Sequence, residues 1–206
     1  MRLYHSPTSP FVRKVMILIH EAGLQDRVQV VPVTGNAVAP GSLPVDHNPL
    51  GKIPTLELPD GRVLYDSRVI CRYLDSVAKS GLYPGDTGPH AALWDVLVIE
   101  AAADGIMEAA ALVTYEARLR PPELQFAPWI DGQWAKVIRA LDALERDRIA
   151  HLTGPLGMAQ IAVAAALGYL DFRHPTRPWR ARCPALAAWH DGFATRPALR
   201  ATLPQG

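Results

Sequence analysis

The switch in hydrophobic period near residue 80 constrains the fold more than any other feature. Before it, strand and helix patterns alternate; after it, only helix patterns remain. Arg2–His5 reads as a short strand, and Phe11–Ala22 as a helix. The apolar stripe of that helix is Phe11, Val12, Val15, Met16, Leu18, Ile19 and Ala22, with Arg13, Lys14 and Glu21 as its polar flanks and Gly23 as its stop. The β-branched run Val28–Val33 is a second strand. Strand, helix and strand at this spacing make a βαβ unit with parallel strands. After a loop over 34–50 come Ile53–Leu58, the turn Pro59-Asp60-Gly61 and Val63–Tyr65. Asp-Gly between two extended apolar runs predicts a hairpin. Asp66 and Ser67 then open a helix with the stripe Val69, Ile70, Tyr73, Leu74 and Val77.

Residues 80–89 contain three Gly and two Pro, which predicts a linker. Beyond it, 90–120 is a long Ala-rich helix with a bend expected at Gly105, and 129–150 is a second helix. Residues 158–172 are apolar on all sides, the pattern of a buried central helix, and 184–195 form a fourth helix with Pro184 in its first turn. The reading is an α/β domain over 1–78, a linker over 79–88 and an all-helical domain over 89–206.

About half of the 206 residues are hydrophobic (49%) and the net charge is +1, so a sizeable core forms and nothing favours nucleic acid or an anionic membrane as partner. The two cysteines, Cys71 and Cys183, lie far apart without metal-type spacing. That excludes a disulfide framework, gives no metal site, and fits a reducing compartment. The opening residues lack a signal-peptide pattern, and the longest later apolar run, Ile161–Leu170, is too short to span a bilayer. The expectation is a cytoplasmic protein without metal.

Three short segments carry the chemistry. Ser9-Pro10 precedes the first helix. Serine is a favoured N-cap and proline a favoured first helical residue, so capping alone accounts for the pair. The same geometry also holds an anion, because a helix start presents free N–H groups and partial positive charge that favour a thiolate. Asn48-Pro49-Leu50-Gly51-Lys52-Ile53-Pro54 brackets a lysine with prolines just before a strand, and Ile53-Pro54 is expected to be cis. Asp66-Ser67 alone is a helix cap.

Together, in this order and spacing, the three segments resemble the glutathione transferase family, over essentially the whole chain. The start Ser9-Pro10-Phe11-Val12-Arg13-Lys14-Val15, with Ala103-Asp104-Gly105-Ile106-Met107 and Gly168-Tyr169-Leu170-Asp171-Phe172-Arg173, looks most like a small bacterial branch of that family. The resemblance implies a thioredoxin-like N-terminal domain, an all-α C-terminal helical bundle and a homodimer. It implies glutathione as co-substrate, with Ser9 hydrogen-bonded to the sulfur and Ile53, before a cis-Pro54, pairing its backbone with the cysteinyl part. Asp66 then faces the γ-glutamyl ammonium, Ser67 receives its carboxylate, and Lys52 approaches the glycyl carboxylate. Thr8 is the competing hydroxyl to Ser9, and Ser6 a third. A second-substrate pocket is expected between Ser9 and the long helix, with Phe11, Asp104, Met107 and Ala111 as candidate lining and Arg118 on the same helix face. Met107 and Ala111 equally suit a plain core, and Asp104 equally suits a solvated face or a partner subunit.

The implied activity is a detoxification-type transferase that activates the glutathione thiol for attack on a small electrophile. Serine at position 9 and Val12 three residues on give no dithiol redox pair. Two alternatives stay open: a glutathione-dependent peroxidase or reductase, and a non-catalytic binding or regulatory protein on the same fold. One departure from the family is the start of the buried helix. Gly157 and Gln160 stand where a Ser or Thr and an Asp form a capping box, and Gln160 is expected to reach back to the cap N–H. The five tryptophans are read as packing residues.

Overall fold

The computed structural model describes residues 1–85, 88 and 92–205, and divides into two compact units, 1–85 with 196–206 and 86–195. In the first unit β1 (Arg2–His5), α1 (Pro10–Glu21), β2 (Gln29–Pro32), β3 (Thr55–Glu57), β4 (Val63–Leu64) and α2 (Ser67–Ala78) follow the expected order within one or two residues at each end. The sheet runs β2-β1-β3-β4, with β1 parallel to β2 and the other two pairings antiparallel. Leu3, Leu56, Val12, Val15, Leu18, Ile70 and Leu74 close the core where α1 and α2 pack against each other and the sheet.

Two details of the helices differ from expectation. Arg13 and Lys14 are buried, Lys14 completely, and Arg13 Nη2 donates to the Leu199 carbonyl at 3.4 Å. On α2 the buried positions are Ser67, Ile70, Cys71, Leu74 and Asp75, while Val69 is exposed. That is the i, i+3, i+4, i+7, i+8 face, one residue round from the stripe first read, because Cys71 counts as apolar core here.

The second unit contains α3 (Ala92–Leu119), α4 (Ala127–Asp147), α5 (Ile149–Leu152), α6 (Met158–Arg173), α7 (Trp179–Arg182) and α8 (Pro184–Phe193). Helix α3 continues through Gly105; the expected start at His90 lies outside the described residues. Helix α6 is buried at every position from Met158 to Leu167, as its all-round apolar pattern required. Its alanines, with Ala103 and Ala110 of α3, carry little side-chain bulk at the α3–α6 contact. Among the tryptophans, Trp179 is buried but Trp94 is half exposed, against the packing expectation.

The boundary of the units differs at both ends of the expected helical domain. Residues 79–85 belong to the first unit, tied down by Asp75, whose carboxylate accepts from Ser80 Oγ (2.6 Å), Leu82 N (2.9 Å) and Tyr83 N (3.3 Å). A Gly- and Pro-rich stretch is therefore pinned by one buried carboxylate. The short helix α9 (Pro197–Ala201) packs on α1 in the same unit, where Arg196 forms a bidentate pair with Glu21 at 2.7 and 2.8 Å.

The start of α6 also differs from expectation. Gly157 makes no side-chain cap, and Gln160 does not reach back to its N–H. Instead Gln160 Nε2 donates to the carbonyls of His151 and Pro155, both at 2.9 Å, which ties the buried helix to the loop before it. An amide supplies two donors and so serves two carbonyls, which the expected carboxylate of a capping box cannot do. Gln160→Ala is expected to lower stability by about 1–3 kcal/mol, the cost of leaving buried acceptors without donors. Urea unfolding checks this, and a variant as stable as the wild type would show that the two bonds contribute nothing.

Candidate functional site

The sheet register decides where the three sequence segments meet. Tyr4 pairs with Thr55 and Leu56 with Leu64. Continuing each ladder one or two residues sets His5 beside Pro54 and Asp66 beside Pro54 on the other side. The end of β1, the start of β3 and the start of α2 therefore emerge at the same end of the sheet. The β1 end leads through Ser6–Thr8 into α1, so Ser9, Ile53, Pro54, Asp66 and Ser67 belong to neighbouring segments.

Ser9 has extended backbone and caps α1, its Oγ accepting from Val12 N at 3.3 Å with Pro10 as the first helical residue. The hydroxyl proton of Ser9 has no acceptor among the described residues. Ser6 and Thr8 bond each other, Oγ to Oγ1 at 3.2 Å, so one of these two hydroxyls already spends its proton on the other. Around Ser9 the first turn of α1 contains no acidic side chain, which leaves the positive end of the helix uncompensated.

The Ile53–Pro54 bond is cis, as the sequence predicts, and Tyr65–Asp66 is cis as well. The loop before it is held by buried Asn48, a residue the sequence reading quoted without giving it a role. Its Nδ2 donates to Lys52 O (2.9 Å) and Thr55 Oγ1 (3.2 Å), its Oδ1 accepts from Leu50 N (3.0 Å), and Thr55 Oγ1 donates to Lys52 O (2.9 Å). With its neighbours fixed on both sides, Ile53 itself makes no backbone hydrogen bond among the described residues. Its N–H and C=O are a free antiparallel edge for an extended ligand. Lys52 is exposed.

Asp66 caps α2 by accepting from Arg68 N at 3.0 Å, and it is exposed. Ser67 is 2% exposed, yet its hydroxyl has no hydrogen-bond partner among the described residues. A polar group so placed is one that a ligand completes.

The remaining sequence candidates fall as follows. Phe11 is half-buried on α1; on α3, Asp104 and Met107 are buried within their unit, Met107 completely, and Ala111 is half-buried. Met107 thus sits in the core that its apolar character already suggested. Among the described residues no group of His, Cys, Asp and Glu is arranged to hold a metal. No described helix is long and apolar enough to cross a membrane. Cys71 and Cys183 are free thiols, both fully buried, and burial with Glu145 and Asp142 nearby pushes the Cys183 thiol up to about 11. Cys183 is therefore a neutral thiol at neutral pH.

A cavity of about 140 Å³ also borders Ser9, lined by His5, Ser6, Arg13, Thr202 and Leu203 among others. It takes His5, Ser6, Pro7 and Ser9 from the end of β1 and the turn into α1 but no residue of the cis-proline loop or the α2 start, and it is too small for a tripeptide. Sequence reasoning missed it because its far wall comes from the C-terminal segment. The one local signal was Pro197, a first-turn proline announcing a further short helix.

Residues 8–77 match the glutathione S-transferase N-terminal domain and residues 127–192 the C-terminal domain of the same name. The chain belongs to the glutathione S-transferase family. It is 35% identical to the uncharacterized GST-like protein YibF of Escherichia coli (strain K12), over 99% of this chain and 98% of that one. It is 31% identical to glutathione S-transferase 3 of Zea mays, over 98% and 93%. A crystal structure of a glutathione transferase family member from Pseudomonas fluorescens Pf-5, with bound glutathione, superposes with a TM-score of 0.96 at 48% identity, covering 100% of this chain and 99% of that one. A second structure from that source, with bound S-(propanoic acid)-glutathione, gives a TM-score of 0.91 at 48% identity, over 99% of both chains. The thioredoxin-like first unit and the helical second unit are those of the glutathione S-transferase fold.

Proposed function

We propose that this glutathione S-transferase family member is a serine-type transferase that binds glutathione at the sheet end formed by β1, β3 and α2 and delivers its thiolate to a small electrophile. The observation that carries the reading is the set of unused hydrogen-bonding groups there. They are the proton of Ser9, the N–H and C=O of Ile53 and the hydroxyl of Ser67, each supported by neighbours that are themselves satisfied. Glutathione is a short extended peptide with a thiol in its centre and a zwitterionic γ-glutamyl end. It supplies one complement to each group. Bound glutathione in a relative that is 48% identical over the whole chain agrees with this.

In this reading the Ile53 backbone pairs with the cysteinyl residue and sets the sulfur at the start of α1. There the Ser9 hydroxyl donates to the sulfur while the helix field favours its anionic form. Ser9 forms no covalent bond. The Ser67 hydroxyl and the α2 start take the γ-glutamyl carboxylate, and Asp66 faces the ammonium. Lys52, exposed on the loop, answers the glycyl carboxylate. The protein's own thiols take no part, because both are buried.

Two substitutions separate binding from activation. Asp66→Ala should weaken glutathione by about 1–3 kcal/mol, the scale of a charge-assisted hydrogen bond. Ser9→Ala should keep glutathione bound but lower turnover with an activated aryl chloride by about 10–100-fold at neutral pH, which is about 1.4–2.8 kcal/mol of barrier. Calorimetry and initial rates read the two. Unchanged glutathione affinity in Asp66→Ala would remove the γ-glutamyl assignment, and unchanged turnover in Ser9→Ala would reduce Ser9 to a helix cap. Hydroperoxide reduction exceeding conjugation in the wild type would favour the peroxidase alternative.

The assembly is a homodimer in the cytoplasm on the same reading. Trp94 and Val98, a turn apart on α3 and each about half exposed, give an apolar face that a second copy can cover. Sedimentation at micromolar concentration should find a species of twice 22.5 kDa; a 22.5 kDa species alone would contradict it.

A further inference from the structure

A thiolate formed at Ser9 requires a group that takes the thiol proton, and Ser9 is not that group. Its Oγ already accepts from Val12 N at 3.3 Å, and a neutral hydroxyl is too weak a base to hold a second proton. Histidine and carboxylates are the usual acceptors at neutral pH. The cavity of about 140 Å³ that borders Ser9 belongs to the first unit alone. Its wall is made by His5 at the end of β1, Ser6 and Ser9 in the turn that follows, Arg13 and Met16 on α1, and the C-terminal segment 201–205.

The backbone holds His5 and Ser9 close together. The turn between them is closed by Ser9 N donating to Ser6 O at 3.2 Å. His5 is the last residue of β1; it pairs with Pro32 of β2, and its carbonyl accepts from Val33 N at 2.8 Å. It shares a strand face with Leu3, two residues before it, which is fully buried. The backbone of His5 is thus fixed on both sides. Its imidazole makes no hydrogen bond and no ring contact among the described residues.

Among the described residues on that wall, His5 alone can take up a proton near neutral pH. Arg13 carries its proton already, and no carboxylate lines the cavity. The other elements around His5 add no charge at this point: β2 brings Pro32, and the C-terminal segment brings Thr202, Leu203 and Gln205. Asp66 lies beyond Pro54, on the far side of the entry to β3. Burial holds the His5 imidazole below its ordinary pKa, so at pH 7 the ring is neutral and one nitrogen keeps its lone pair. At about 30 Å³ per water, the cavity has room for about four, and the hydroxyls of Ser6 and Thr202 suit them. One bridging water brings a base within reach of a proton that it does not touch directly.

We propose that His5 is the proton acceptor for the bound glutathione thiol, acting through one water in the cavity it shares with Ser9. The proposal rests on the transferase reading above. The S–H bond breaks with its electron pair left on sulfur, and the proton passes along the water to the free ring nitrogen of His5. The thiolate then forms the bond to the electrophilic carbon while the leaving group departs with the electron pair of its own bond. The imidazolium finally gives its proton to solvent or to the leaving group. Ser9 and His5 divide the work: the serine stabilises the anion, and the histidine removes the proton.

The pH dependence of conjugation in the wild type and in H5Q tests this, with an activated aryl chloride at saturating glutathione. At pH 7 H5Q should be slower by about tenfold or more. The deficit should close toward about pH 9, where a free thiol, near 8.5, ionises unaided. A deficit of the same size at every pH, or none at pH 7, would overturn the proposal and leave the transferase reading standing. NMR titration of the His5 ring in the wild type needs no variant. With glutathione bound, the nearby thiolate should move the His5 titration upward; with S-methylglutathione, which has no thiol proton, it should stay where it is. A His5 titration that glutathione leaves unmoved would overturn the proposal. A wild type that does not bind glutathione would overturn the transferase reading, and this proposal with it.

Discussion

Antiparallel pairing of β1 with β3 places every part of the site. β1 ends at His5, and β3 begins at Thr55 opposite Tyr4, so the turn into α1 and the cis-proline loop are forced to the same end of the sheet. The β3–β4 hairpin then returns the chain to that end for the start of α2. A slip of one residue in this register would turn Leu3 and Leu56, both fully buried, toward the wrong face. The hydrophobic core therefore fixes the register, and the register fixes the site. Asn48 completes the arrangement by holding both sides of the loop that carries Ile53.

Two helix starts at one sheet end make a site suited to anions. Each offers N–H groups and a partial positive charge; the start of α1 has no acidic side chain to cancel it, while the Asp66 carboxylate caps α2. Between them lies a backbone edge with a free donor and acceptor. A ligand matched to all three must be short, extended, and negative at two places along its length. That is a chemical description of glutathione with its thiol ionised. In the proposed reading Ser9 adds a directional hydrogen bond to a helix field that favours a thiolate, so it acts without a covalent step.

Much of this was legible in the sequence, for identifiable reasons. The β-branched run at Val28–Val33, the Asp60-Gly61 turn and the all-apolar 158–172 stretch are local signals, and local physics decided them. The Ser9-Pro10, Ile53-Pro54 and Asp66-Ser67 positions were readable because capping and cis-proline chemistry restrict residue type. What escaped depended on tertiary partners. Lys14 looks like a polar flank and is fully buried, because a helix in contact with two neighbours has no free flank. Residues 79–83 look like a linker and are held by Asp75, whose role is visible only when the chain folds back. Gln160 looks like a weakened capping box and is a two-donor tie to the preceding loop. The return of α9 to α1 joins residues 175 positions apart, beyond any periodicity.

The central claim is that the start of α1, with Ser9 at its cap, holds the bound thiol as thiolate. Ultraviolet thiolate absorbance of bound glutathione, titrated against pH in the wild type and in Ser9→Ala, tests it most directly. A free thiol titrates near 8.5. The account predicts a bound value below that in the wild type, and a higher value in Ser9→Ala that still lies below the free one, because the helix field remains when the hydroxyl is gone. Superimposable titrations of the two proteins, or a wild-type value no lower than that of free glutathione, would contradict it.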